Sequence, residues 1–301
     1  MNGPVNDFLV TDVEVFRAPS KPPCMERALV LQSLGIPFRV ERQRDSFHLI
    51  VAGRDAEAAL AELANYEREN VDWPPKYESP PLLSKGKLAA AIYAAVMIGM
   101  HPIGRSGIAG LNFWEAGKMH AGAVRDGEWW RTLTALSLHG DLSHLVGNLV
   151  FGAGFALMAA HPLGGGLVWL GFVLSGGLGN LANAWLQDVG HTSIGASTGV
   201  FGILGLLAAY EWSRRHTLRY PPMRRWAPLI GALGLFGFLG VGTPDSNTDV
   251  LAHVTGFGAG ALLGALAAFL HLPNKLGPTG QRIAAVLALA LGVLAWFSAL
   301  R

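Results

Sequence analysis

From about residue 87 the chain becomes a series of long apolar runs broken by short polar connections. Seven such runs stand out, at roughly 87–104, 142–160, 164–186, 196–212, 226–242, 250–271 and 281–300. Each approaches the ~20 residues that a helix needs to cross the hydrocarbon core of a bilayer. The stretch before them follows a different rule. Between about residues 8 and 72, Val13–Phe16, Phe38–Glu41 and Phe47–Val51 have the alternating or short apolar pattern of strands. Ala28, Leu31 and Leu34 fall at helical spacing, as do Leu60, Leu63 and Ala64, with Asp55 placed to cap the second helix. The order βαββα predicts a small α+β unit. Prolines 74, 75, 80 and 81 mark the stretch from Trp73 to Lys87 as a linker. The region from about 105 to 135, with Trp114, Trp129 and Trp130, has the composition of an interfacial loop. The expected fold is therefore an all-α polytopic membrane domain behind a small α+β domain.

Composition agrees with that division. The 301 residues are 51% hydrophobic and only 15% charged, where a soluble domain carries about a quarter charged residues. A formal net charge of +2 gives no reason to expect nucleic acid as a partner. Cys24 is the only cysteine, so no internal disulfide can form, and Met1–Asp12 lacks the basic and apolar regions of a signal peptide. Arg214, Arg215, Arg219, Arg224 and Arg225 crowd the connection between the fourth and fifth spans, which predicts that this side is cytoplasmic. Lys85, Lys87, Lys275 and Arg282 fall on the same side, and Asp188, Asp245 and Asp249 on the other. Arg105, Lys118, Arg125 and Arg131 in the first loop argue the opposite way and are outnumbered by the denser cluster. The N-terminus is then expected inside and the C-terminus outside.

With that topology the second, fourth and sixth spans start from one face, and each carries a polar group near its start: His144, Ser197 and His253. Unpartnered polar groups in lipid cost several kcal/mol, so intramembrane polar residues are functional candidates. A serine and a histidine at one depth suggest a nucleophile and its general base. Gly256, Gly260 and Gly264 repeat on the His253 face, and Gly195, Gly199 and Gly202 offer a thin surface on the serine-bearing span, so the two helices can approach closely. His144 and Asn148 stand four apart on one helical face, where both can donate hydrogen bonds. A metal site is the chemical rival, since His139, His144, His191 and His253 supply imidazoles. Zinc helices, however, carry a glutamate between their histidines, and no acid lies between residues 189 and 210 or between 250 and 300. Asp249, at the entry to the sixth span, reads as a helix cap. No metal or organic cofactor is expected.

Trp130-Arg131, His139, His144-Leu-Val-Gly-Asn148, Gly195-Ala-Ser197-Thr-Gly199 and Ala252-His253 followed by Gly256, Gly260 and Gly264 together resemble the rhomboid family of intramembrane serine proteases, over about residues 88–272. The resemblance implies a rhomboid-like six-helix protease domain at 88–272. A linker at 73–87, a cytosolic domain at 1–72 and an additional seventh helix at 273–301 complete the six-plus-one form. It implies Ser197 as nucleophile, His253 as base, and His144, Asn148 and the Ser197 backbone N–H as oxyanion donors. Gly195, Phe201, Gly256, Gly260, Trp130 and Arg131 take structural places around them, with Phe201 against the imidazole where the family often has tyrosine. The chain departs from many members in having Thr198 where they have glycine. The implied substrates are single-span membrane proteins cut within the bilayer, in a prokaryotic plasma (inner) membrane. Water must reach the site from the outer face, and the fifth span and the Gly242–Asp249 connection are expected to gate that entry. The alternative is a rhomboid-like protein that binds membrane proteins without cutting them. The N-terminal unit, in turn, is similar to small prokaryotic modules described as signal-transducing domains.

Overall fold

The computed structural model describes residues 12–71, 86–106, 110–242 and 248–301, so most of the expected linker and of the Gly242–Asp249 connection lies outside the described residues. The chain divides into two compact units, Met1–Ser79 and Pro80–Arg301.

In the first unit, strand β1 (Asp12–Ala18) is followed by helix α1 (Lys21–Ser33), the hairpin β2 (Phe38–Gln43) and β3 (Ser46–Ala52), and helix α2 (Ala56–Glu69). The sheet is antiparallel in the order β1-β3-β2. Leu49 and Val51 of β3 project onto Ala28 and Leu31 of α1 and onto Ala59 and Leu63 of α2, forming the core of the unit. Buried His48 has both ring nitrogens satisfied, Nδ1 by Glu14 and Nε2 by Ser46, each at 2.7 Å. Asp55 stands at the N-cap of α2 but accepts no cap bond: a 3-10 turn, Gly53–Asp55, leads in, and the carboxylate lies 3.6 Å from Arg54 instead.

In the second unit all seven apolar runs are helical. They are α3 (Lys87–Ser106), α7 (Leu142–Leu163), α8 (Gly165–Leu186), α9 (Ser197–Thr217), α10 (Pro222–Leu239), α11 (Val250–Phe269) and α13 (Pro278–Ala299). Between α3 and α7 the described residues form the short helices α4 (Phe113–Gly117), α5 (Ala121–Arg125) and α6 (Arg131–Thr134). A two-residue strand there, β4 (Met119–His120), pairs with β5 (Thr192–Ser193) just before α9. A single turn, α12 (Leu272–Lys275), precedes α13. Among the described residues, five helices are long and apolar enough to cross a membrane, α9 and α10 being the two that are not. Glu211, Arg214 and Arg215 lower the apolarity of α9, and Arg224 and Arg225 that of α10. In the other half of α9 every residue from Thr198 to Leu206 is buried, so protein surrounds that half. Pro222, pre-organised for the first helical turn, starts α10 four residues before its apolar run.

What fixes the centre of this unit is glycine. A Cβ at Gly256, Gly260 or Gly264 of α11 would run into the carbonyl oxygen of Thr198, Gly202 or Leu206 of α9, respectively. The two helices thus touch backbone to backbone at one four-residue stride. Gly258, on another face, has nothing within 4 Å. Gly179 of α8 meets Gly256 at the same level, 2.7 Å from its Cα if a Cβ were added. Such close approach gives helices in lipid their dispersion and weak C–H···O contacts, where no hydrophobic force separates protein from solvent.

Candidate active site

Ser197 opens α9, behind a turn that only glycine can make. Gly195 has φ +118° and donates its N–H to Ala135 O at 2.9 Å. A side chain there would be strained and would strike the His144 ring. From Gly195 to Leu206, Ser197 is the one residue that is not buried. It faces a cavity of about 1230 Å³ also lined by His144, Asn148, Phe155, Asp249 and His253. As the first residue of α9 it lies where backbone N–H groups have no intrahelical partner.

His253 stands one turn into α11 and is 6% exposed. Its Nδ1 lies 2.7 Å from the carbonyl oxygen of Gly240. A carbonyl only accepts, so Nδ1 carries the proton and Nε2 keeps its lone pair. The Phe201 ring, one turn after Ser197, lies 4.5 Å from the imidazole at 37° and rests in turn against Phe236. Among the described residues neither Ser197 Oγ nor His253 Nε2 has a hydrogen-bond partner.

The opposite wall is the first turn of α7. Asp141 caps it, accepting the His144 N–H at 2.8 Å. One turn on, Asn148 Nδ2 donates to His144 O at 3.1 Å, and the Asn148 carbonyl accepts from Tyr93 Oη at 2.7 Å. Both side chains reach toward Gly195: a Cβ there would lie 2.5 Å from His144 Nε2 and 3.7 Å from Asn148 Nδ2. His139 packs edge-on against His144 at 5.2 Å, and its Nε2 accepts the Ala196 N–H at 3.5 Å. Burial, with His144 and His101 adding to it, pulls the His139 pKa down to about 4, so the ring is a neutral acceptor at ordinary pH.

Trp130 and Arg131 lie away from the cavity. Arg131 ties the first loop together, bonding Glu128 at 2.5 Å and the carbonyls of Glu115 and Lys118 at 2.7 and 2.9 Å. Two arrangements were not legible in the sequence. Asp249 caps α11 through Ala252 N–H, and its other oxygen accepts from Asn183 at 2.7 Å and His191 at 2.8 Å. Burial alone would raise its pKa, but these bonds and one from Ser193 hold it below the usual carboxylate range. Asp249 therefore joins α11, α8 and the β5 segment, and His191 is engaged there. Thr198, the departure from glycine, donates to Asn180 Oδ1 at 2.9 Å while Asn180 Nδ2 donates to Thr132 O at 2.8 Å. Gly179 and Gly256 leave room for its methyl group. Among the described residues no three His, Cys, Asp or Glu side chains group as a metal centre would need.

Residues 126–269 match a family model described as the Rhomboid domain. The chain is 28% identical over 140 residues to a protein named putative rhomboid protease YdcA from Bacillus subtilis, covering 46% of this chain and 68% of that one. Rhomboid protease GluP of the same organism is 32% identical over 171 residues, covering 56% of this chain and 32% of that one. Rhomboid-like protease 3 of Toxoplasma gondii is 34% identical over 151 residues, 49% of this chain and 55% of that one. The last two relatives are thus spanned over a third and about half of their own lengths. With several apolar membrane-length helices and a Rhomboid-domain match over 126–269, the chain is an integral multi-pass membrane protein similar to proteins named rhomboid proteases.

Proposed function

We propose that this protein is an active intramembrane serine protease that cuts single-span membrane proteins within or beside the bilayer through a Ser197–His253 dyad. The observation that carries the reading is a single open hydroxyl on the otherwise buried stretch Gly195–Leu206, facing one cavity with an imidazole whose free nitrogen is Nε2. His253 Nε2 takes the Ser197 proton as Oγ attacks the scissile carbonyl. The oxyanion that forms is held by His144, Asn148 and the Ser197 N–H at the start of α9, interactions that strengthen as charge develops. His253 then returns the proton to the leaving amine, and water from the cavity releases the acyl-enzyme. Asp249 is committed to His191 and Asn183, so it supports α11 rather than the imidazole. Substrate helices must unwind locally, because a continuous helix hides its own carbonyls. The N-terminus lies inside, the C-terminus outside, and the membrane is a prokaryotic plasma membrane.

A fluorophosphonate probe tests this directly. It should label the purified protein at Ser197, mapped by peptide mass, and labelling should survive a chelator. Absence of labelling on folded protein favours the non-cutting alternative. Loss of proteolysis in chelator with recovery on adding zinc transfers the chemistry to metal.

A further inference from the structure

We propose that Trp296 of α13 is a positioning residue for the oxyanion side of the site, which makes the seventh helix a working part of the protease domain and not an appended span. The proposal rests on the protease reading above. Helix α13 is fixed at two points about 22 Å apart along its axis, at ~1.5 Å per residue. At the first, Gln281 Nε2 donates to Leu163 O at 2.9 Å and its Oε1 accepts from Leu167 N at 3.1 Å. One side chain thereby satisfies the end of α7 and the start of α8. At the second, Trp296 Nε1 donates to Ser137 Oγ at 3.2 Å, and the indole fills the space left at Gly117, where a Cβ would lie 2.5 Å from the ring. Phe113 packs against the same ring at 5.2 Å.

Ser137 is two residues from His139, with fully buried Leu138 between them. The segment that Trp296 grips from one side touches the catalytic turn from the other. Ala135 O accepts from Gly195 N, His139 Nε2 accepts from Ala196 N, and the His139 ring abuts His144. A helix needing only lipid and protein packing would be served by leucine at 296. An indole N–H aimed at a buried hydroxyl adds direction, and direction is what oxyanion donors need. A displacement of about 1 Å there can cost ~10²-fold in rate.

The test uses the full chain in lipid nanodiscs, with cleavage of a single-span reporter and hydrogen exchange read by mass spectrometry. Trp296→Ala should lower kcat by roughly 10–100-fold with KM nearly unchanged. Exchange should quicken in residues 135–140 and 194–197 but not at the α9–α11 glycine contacts. Trp296→Phe, which keeps the ring and loses the N–H, should give a smaller change of the same kind. Ser137→Ala alone also loses the Ser137 Oγ donation to Thr134 O at 2.8 Å, so the decisive comparison is Trp296→Phe made in the Ser137→Ala background, where it should add nothing because the shared Nε1–Oγ bond is already gone. Leu289→Ala on the exposed face of α13 should leave both readouts unchanged. Wild-type exchange in both segments, or loosening spread over the whole domain with kcat of the folded fraction intact, overturns the proposal. If Trp296→Ala does not fold, Trp296→Phe and Ser137→Ala decide it. A wild-type protein inert toward every reporter refutes the protease reading, while the exchange arm still decides the coupling.

Discussion

Ser197 stays open because its neighbours are held away from it: Gly195 turns the chain, Thr198 is drawn toward Asn180, and Ala196 is bonded to His139. Two predictions belong to single residues here. Asn148→Ala should lower kcat by ~10²–10³, the usual cost of one oxyanion donor, with a smaller effect on thermal stability. Unfolding with full turnover in the remaining folded protein would make Asn148 a packing residue, held through its Nδ2 bond to His144 O. The second concerns pH. His139 is 1% exposed with a pKa of about 4 against 6.5 when free, so between those values the unfolded chain binds a proton that the folded one does not. Stability from this group is therefore complete above pH 6.5 and falls as pH drops toward 4, by on the order of 3 kcal/mol. His139→Gln should flatten that part of the profile in thermal melts at stepped pH. An unchanged slope would show that other groups govern it.

At the scale of helices, the Gly256–Gly260–Gly264 ridge carries the geometry. Gly260→Val must displace the Gly202 carbonyl and should abolish activity and lower stability sharply, with Gly260→Ala milder. Gly258→Val meets nothing within 4 Å and should be tolerated. Equal tolerance at 258 and 260, measured by melting temperature and cleavage, would remove the ridge from the account. This ridge was legible in the sequence because its period is that of the helix, as were the seven helices, five of them long and apolar enough to cross a membrane. The Asp249–His191–Asn183 cluster was not: its members lie 58 and 66 residues apart along the chain, and nothing local marks three polar residues that meet only after α8 and α11 pack. The short helices α4, α5 and α6 escaped for a related reason. Each is a turn or so long, held by tertiary bonds such as those of Arg131 rather than by its own periodicity.

For the whole molecule, α7, α9 and α11 bring their N-terminal ends to one cavity, so a single face of the domain holds the proposed chemistry. The arginines between α9 and α10 lie at the other end of α9, and the topology proposed from them predicts that alkaline phosphatase fused after Arg301 is active in a bacterial host. An inactive fusion at that point, with an active one at the N-terminus, would invert the orientation. The Ser197–His253 dyad is decided by cleavage of a single-span substrate with purified wild type, Ser197→Ala, His253→Ala and the double variant. Wild type should cut; each single variant should be inactive while remaining folded; and the double should match either one, since members of a catalytic unit are not additive. Cleavage by folded Ser197→Ala at a substantial fraction of the wild-type rate would contradict the account.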